Sequence, residues 1–101
     1  MPPTIELLAF RVVQEALTNA IKHAGAARTT VTVTFAYDAL ELLVRDNGPG
    51  GLTGHELTVA GHGLLGMRER VALVDGVLSA GPRPHGGFQV YARLPLAGVP
   101  A

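Results

Sequence analysis

A stripe of polar residues on the first predicted helix has the residue types that bind metal ions and phosphates. On a helical wheel Arg11, Glu15, Asn19 and Lys22 share one face, and His23 lies at the edge of the apolar arc. A carboxylate and an amide oxygen four residues apart suit a hard cation such as Mg²⁺, and Lys22 and His23 could face phosphate. A solvated helix face can have the same pattern, but asparagine is a poor helix former. The stripe alone leaves both interpretations open.

A carboxylate also lies on the core-facing row of the second predicted strand. Leu40, Leu42 and Val44 alternate with more polar residues, and the same alternation directs Asp46 to their side. An ionised carboxylate there is unfavourable unless it is paired. The segment 47–51 that follows reads Asn-Gly-Pro-Gly-Gly, which is typical of a turn. Asp46 is therefore either a turn cap or an acceptor at the floor of a pocket, suited to the amino group of adenine.

A glycine-rich run precedes the second predicted helix and reads Gly61-His62-Gly63-Leu64-Leu65-Gly66. Free backbone amides at the start of a helix favour anions, and glycines allow close approach. The run matches the G-x-G-x-x-G dinucleotide fingerprint formally. We reject that match because residues 57–60 make a poor central strand and no acidic residue follows about 20 positions later. A Walker A lysine is also absent from the sequence.

Composition excludes several classes of protein. The chain has 101 residues, of which 48% are hydrophobic, so it is predicted to be one folded domain. Eight basic residues balance eight acidic ones, which argues against a general nucleic-acid binder. No cysteine is present, which excludes a disulfide scaffold and a thiolate metal site. No apolar run approaches the roughly 18 residues of a membrane helix, so we expect a cytoplasmic location without membrane contact.

Hydrophobic periodicity predicts an α+β fold, a two-layer sandwich with both helices on one face of a mixed sheet. The predicted helices cover residues 5–24 and about 65–75, stopped by Gly25 and Gly76. The predicted strands are a hairpin of residues 30–37 and 40–45, a short strand at 77–81, and a last strand from Phe88 that Pro95 closes. The tail at 96–101 is expected to be frayed.

Three motifs in this order resemble the ATP-binding domain of sensor histidine kinases, of the GHKL (Bergerat ATPase) superfamily. The segment 15–24 resembles the N box, 46–50 the G1 box and 61–71 the G2 region. The sequence of the G2 segment resembles that of the subfamily whose partners are response regulators with helix-turn-helix output domains. The resemblance runs from about Pro3 to Pro95 and implies the Bergerat fold, here without the strand that usually precedes the first helix.

The resemblance also implies roles for individual residues. Glu15 would be the catalytic carboxylate. Asn19 would bind Mg²⁺, and Glu15 would contact the same ion through a water molecule. Asp46 would accept a hydrogen bond from the adenine amino group. The remaining implied nucleotide-binding residues are Lys22 and His23 near the phosphates, Gly48 and Gly50 around the base, and Gly61, His62, Gly63 and Leu64 beside a lid at 49–62. The expected cofactors are ATP and Mg²⁺.

The implied activity is transfer of the γ-phosphoryl group of ATP to a histidine. That histidine would lie on a dimerisation domain of the parent kinase, absent from this chain, so we expect a monomer that binds ATP or ADP and does not autophosphorylate alone. A response regulator would be an indirect partner, and the parent kinase can be membrane-anchored. The chain departs from the family pattern where Gly87-Phe88 replaces a frequent Gly-Thr. The alternatives are an anti-sigma-factor-type serine kinase and a non-catalytic nucleotide-sensing module.

Overall fold

The chain has an α+β fold in which each of two helices is followed by two strands. The computed structural model describes residues 2–21, 28–47, 54–84 and 86–96. The elements in chain order are α1 (Pro3–Asn19), β1 (Thr29–Phe35), β2 (Ala39–Asp46), α2 (Gly54–Ala72), β3 (Val77–Pro82) and β4 (Phe88–Pro95). The predicted order of elements and fold class are confirmed. No helix in the described ranges is both long and apolar enough to cross a membrane.

The four described strands form one sheet in the order β1-β2-β4-β3. Each neighbouring pair is antiparallel, so the prediction of a mixed sheet is wrong for these strands. The connection through α2 makes β3 run parallel to β2, but β4 lies between them. Because the two parallel strands are not neighbours, no parallel ladder forms among the described strands.

The core lies between the helices and one face of the sheet. On β2 and β4 the alternate residues Leu42, Ala92 and Leu94 are buried, and they meet Val12 of α1 and Val71 of α2 in one apolar cluster. Residues paired across an antiparallel ladder share a face, and Leu42 pairs with Ala92. The inward row predicted from the alternation in the sequence is therefore the row that α1 and α2 cover.

The opposite face of the sheet carries polar contacts. The Tyr91 hydroxyl donates a hydrogen bond of 2.6 Å to Oε1 of Glu41, and the Arg93 guanidinium contacts Asp38 at 3.1 Å. The hydrogen bond to the Glu41 carboxylate raises the pKa of Tyr91 above its ordinary value. Both helices pack on the other, apolar face.

The start of α2 differs from the prediction. We expected a loop to His62 and a helix from Leu65, whereas α2 begins at Gly54. Glycine lowers helix propensity by about 1 kcal/mol per residue, which is why the sequence favoured a loop. Once Leu64 and Met67 pack against the core, each further residue adds a helical hydrogen bond to an existing nucleus, and the helix extends through the glycines.

The predicted ends of α1 and β1 and the predicted tail at 96–101 also differ from the structure. Helix α1 ends at Asn19 instead of Ala24, and its predicted stop, Gly25, lies outside the described residues. Strand β1 ends at Phe35, so Tyr37 is in the turn. Leu96 is packed against the core and its N–H donates to the carbonyl of Asp38 at 2.8 Å. Leu96 therefore belongs to the fold and not to a frayed tail.

The outer strand β1 is largely exposed. Its apolar row is Val31, Val33 and Phe35, which are 40%, 49% and 69% exposed. These residues pair with Val44, Leu42 and Leu40 and so lie on the face that the helices cover elsewhere. Helix α1 packs on β2 and β4, and α2 packs on β3. The helix layer therefore stops short of β1.

We predict that Leu94→Ala lowers the free energy of unfolding by about 2–5 kcal/mol, because it opens a cavity in a packed core. Leu94 is fully buried, whereas Leu73 is 85% exposed. The matched change Leu73→Ala should stay within about 0.5 kcal/mol of the wild type. Chemical denaturation of the three proteins measures the difference. Equal effects of the two substitutions would contradict this placement of the core.

Candidate functional site

Asp46 is the last residue of β2 and one of two buried polar or charged side chains among the described residues. It is 4% exposed and lies in the inward row with Leu42 and Val44, as the sequence predicts. Its Oδ1 accepts a hydrogen bond from the Phe88 N–H at 3.3 Å. Its main-chain carbonyl accepts from Nη1 of Arg83 at 2.8 Å. The end of β2 is thus held by the segment that leads into β4.

Asn19 is the other buried polar side chain, 8% exposed. The sequence placed it in mid-helix, whereas it is the last residue of α1. Its Nδ2 atom is buried and has no hydrogen-bond partner within the described part of the chain. An unsatisfied buried amide nitrogen costs about 1–3 kcal/mol, so this atom is a donor that a polar ligand can satisfy.

Asn19 and Asp46 line the same cavity between α1 and the sheet. Apolar walls come from Ala16, Val44 and Phe88, and the cavity volume over the described residues is about 10 Å³, the space of about one water molecule. A mostly apolar pocket with a few convergent polar groups is the usual form of a small-molecule site. An amide and a carboxylate above an apolar wall suit a flat, amino-bearing heterocycle.

Glu15 lies one helical turn before Asn19 on α1 and is half-buried. Its carboxylate packs against the backbone of Gly63 on α2, where any Cβ would overlap Oε1 of Glu15. The groove between the helices is also lined by Arg11 and Arg70. Gly63 therefore makes room for the Glu15 carboxylate between α1 and α2, a contact that the sequence analysis did not predict.

The structure brings Glu15, Asn19, Asp46 and Gly63 to one end of the molecule, at α1, the end of β2 and α2. Leu64 is buried in the core, so its side chain serves packing, and its part in nucleotide binding stays a prediction. Of the other predicted site residues, Lys22, His23, Gly48 and Gly50 lie outside the described residues, and Gly61 and His62 are described only as α2 backbone.

Two residues that hold Asp46 were missed or only partly recognised from the sequence. The contact of Arg83 with Asp46 could not be predicted from the sequence, because Arg83 lies 37 positions away in a turn-rich segment. Gly87 was noted only as part of a motif. Its φ is +88°, and a Cβ there would overlap the carbonyl oxygen of Asp46. Only glycine allows the loop to approach the end of β2 this closely.

Comparisons with known proteins identify similar chains. The family described as "Histidine kinase-, DNA gyrase B-, and HSP90-like ATPase" matches residues 4–98. The signal transduction histidine-protein kinase/phosphatase DegS of Bacillus subtilis (strain 168) is 34% identical over 99 residues, covering 96% of this chain and 26% of that protein. The sensor protein VraS of Staphylococcus haemolyticus (strain JCSC1435) is 31% identical over 96 residues, covering 95% and 27%.

Among solved structures, the crystal structure of the ATP binding domain of PrrB from Mycobacterium tuberculosis superposes with a TM-score of 0.64. The sequences are 28% identical, and the match covers 94% of this chain and 69% of that one. The fold is thus shared with a solved ATP-binding domain. The chain spans about a quarter of the length of the curated relatives it matches.

The contact between Gly63 and Glu15 can be tested by stability alone. Gly66 also lies in α2 but has open space where a Cβ would be, so Gly66→Ala should stabilise the protein by about 0.5–1 kcal/mol. Gly63→Ala should give a smaller gain, because the Glu15 carboxylate must move. In a Glu15→Ala background the obstacle is gone, and Gly63→Ala should gain as much as Gly66→Ala.

Denaturant unfolding of the single and double variants measures these gains. Equal gains from Gly63→Ala and Gly66→Ala in the wild-type background would show that Glu15 does not occupy this position.

Proposed function

The chain belongs to the histidine kinase-, DNA gyrase B- and HSP90-like ATPase family, and we propose that it is the ATP- and Mg²⁺-binding catalytic domain of a two-component sensor histidine kinase. The observation that carries the proposal is the cavity in which Asp46 and Asn19 are buried together. The names of the relatives, which are sensor kinases, support the choice within the family.

In this proposal the adenine base binds at this cavity, next to Asp46 and Asn19, and the cavity must widen to admit it because its volume is about 10 Å³. The Asp46 carboxylate accepts a hydrogen bond from the adenine amino group, and the half-buried Phe88 and the buried Val44 contact the flat face or edge of the ring. The amide of Asn19 lies next to this position, and its Nδ2 donates a hydrogen bond to the nucleotide or to a water bound to it. A buried donor and a buried acceptor together discriminate against bases that cannot pair with both.

Magnesium is assigned to Asn19 and Glu15. Within the described residues no cluster of three or more acidic or histidine side chains could hold a metal ion. Mg²⁺ is usually held by one or two protein oxygens together with substrate phosphates and water, and the Asn19 ligand in this assignment is its amide oxygen Oδ1, while Nδ2 remains a hydrogen-bond donor. When bound, the ion neutralises charge on the phosphates. The resemblance also assigns Lys22, His23 and the lid segment 49–62 to the phosphates.

Glu15 is assigned to the transfer step. The acceptor histidine, on a separate domain of the parent kinase, attacks the γ-phosphorus through a ring nitrogen, and the bond to the ADP oxygen breaks. The Glu15 carboxylate orients the imidazole by accepting its other N–H and takes up the proton. Because ATP is the donor, this domain works in the cytoplasm, and the phosphorylated histidine then serves a response regulator.

Nucleotide binding tests the assignment of Asp46. Asp46→Asn should weaken ATP binding at least about tenfold, since the charged acceptor is worth about 1.5–3 kcal/mol. The asparagine oxygen can still accept from the Phe88 N–H, so the fold should persist. Asp75→Asn is the matched control, because Asp75 is exposed and its φ of 61° suits asparagine. Calorimetric titration with ATP and ADP measures both. A folded wild-type chain that binds neither nucleotide would rule out the proposed function.

The role of Glu15 is tested by transfer and not by binding. Glu15→Gln keeps an oxygen that can contact a magnesium-bound water, so ATP affinity should stay within about twofold, but phosphorylation of a supplied histidine-bearing domain should slow by about 10²–10⁴-fold. Glu69→Gln, on the exposed surface of α2, should transfer like the wild type. An acid-labile product indicates phosphohistidine, whereas an acid-stable one indicates a serine kinase. Wild-type rates in Glu15→Gln would remove Glu15 from the mechanism.

A further inference from the structure

The pairing of β2 with its neighbours ends at different positions on its two sides. Towards β1 the ladder continues to the pair Thr29 and Asp46, whereas towards β4 it stops at the pair Arg45 and Gln89. On the β4 side Asp46 therefore lies one residue beyond the regular ladder. Its backbone there needs a partner from outside the strand pairing, because a buried carbonyl is unfavourable without a hydrogen bond.

Arg83 supplies that partner. Its Nη1 donates to the carbonyl oxygen of Asp46 at 2.8 Å in a partly buried contact. Five residues later, at the start of β4, the Phe88 N–H donates to Oδ1 of the Asp46 side chain at 3.3 Å. One segment thus holds both the main chain and the carboxylate of the residue assigned to the adenine amino group.

The segment is itself a closed loop. The Arg83 N–H donates to the carbonyl of Gly87 at 2.9 Å, and the Gly86 N–H donates back to the carbonyl of Arg83 at 3.2 Å. Gly87 is the point where the loop backbone packs against the carbonyl of Asp46. These two hydrogen bonds join the ends of the loop. The position of the loop next to Asp46 is then fixed by the contact of Arg83 on one side and that of Phe88 on the other.

We propose that Arg83 is a positioning residue for base recognition: its hydrogen bond to the Asp46 carbonyl fixes the backbone at the end of β2 and so aims the Asp46 carboxylate at the amino group of the base. The inference rests on the proposed function, since it assumes that Asp46 binds adenine. It assigns base selectivity to a residue that lies outside the three motifs of the family resemblance.

A different role for Arg83 makes a different prediction. The same guanidinium lines a groove with Arg28 and Arg45, and a cation there could act on the phosphates of a nucleotide through its charge. Such a residue would affect every nucleoside triphosphate equally. A residue that aims Asp46 affects only those whose base carries the amino group.

The experiment compares ATP with purine riboside 5′-triphosphate, which lacks the amino group of adenine. Arg83→Ala should weaken ATP binding about tenfold, equivalent to about 1.4 kcal/mol, and change binding of the analogue less than about twofold. Arg83→Met keeps the aliphatic stem but loses the hydrogen bond, so it should behave like Arg83→Ala. Arg83→Lys keeps one donor and should recover ATP affinity to within about threefold of the wild type.

Arg68→Ala is the matched control. Its Nε donates to the carbonyl of Leu78 at 3.2 Å, so this variant also loses a bond from an arginine to a strand carbonyl, but away from Asp46. It should bind both nucleotides like the wild type. Titration calorimetry gives the affinities, and thermal unfolding shows that each variant is folded under the assay conditions.

Two results would overturn the inference. One is equal weakening of ATP and analogue binding in Arg83→Ala and Arg83→Met, which indicates a charge or folding role. The other is wild-type affinity for both ligands. Failure of the proposed function is distinguishable, because the wild-type chain would then bind ATP no better than the analogue, or not at all, whatever residue stands at position 83.

Discussion

At the end of β2 the Asp46 carboxylate lies almost fully buried, in line with the apolar side chains of Leu42 and Val44. Burying an ionised carboxylate is unfavourable by several kcal/mol unless surrounding groups compensate. The Phe88 N–H donates to this carboxylate and provides part of that compensation, and Arg83 donates to the main-chain carbonyl of the same residue. The loop before β4 must therefore lie against the end of β2, and a glycine at position 87 is what allows the contact.

Helix α1 combines a core-packing surface with the surface that carries two of the candidate site residues. Val12 and Ala16 face the core, while Glu15 and Asn19 lie on the flank that meets α2 and the end of the sheet. Because residues three and four positions apart are neighbours on a helix, the packing that fixes Val12 and Ala16 also fixes Glu15 and Asn19. A site built on a packed helix in this way is held more rigidly than one on a loop.

The two layers do not cover each other completely. The helices lie over β2, β4 and β3, and the apolar row of β1 remains open. The site is at the covered part of the sheet, where Asp46 ends β2 beneath α1. The most exposed part of the sheet and the candidate nucleotide site are therefore separate features, and the geometry around Asp46 depends on β4 and its preceding loop more than on the outer strand.

Local periodicity was sufficient to predict much of this arrangement. Alternation along β2 directed Asp46 to the core face, and helical spacing placed Glu15 and Asn19 together, because both patterns depend only on backbone geometry within one element. The same patterns predicted the α+β order and the inward residues of β2 and β4. The ordered motifs added the expectation of ATP binding.

Other features depend on contacts between distant parts of the chain. Arg83 and Phe88 reach Asp46 across 37 and 42 positions, and Gly63 meets Glu15 only because α2 packs on α1. The insertion of β4 between β2 and β3 and the start of α2 at Gly54 likewise follow from packing. The residue types near these positions do not indicate which distant residue each one contacts. The reason is that the favourable free energy of these contacts arises only when the elements pack together.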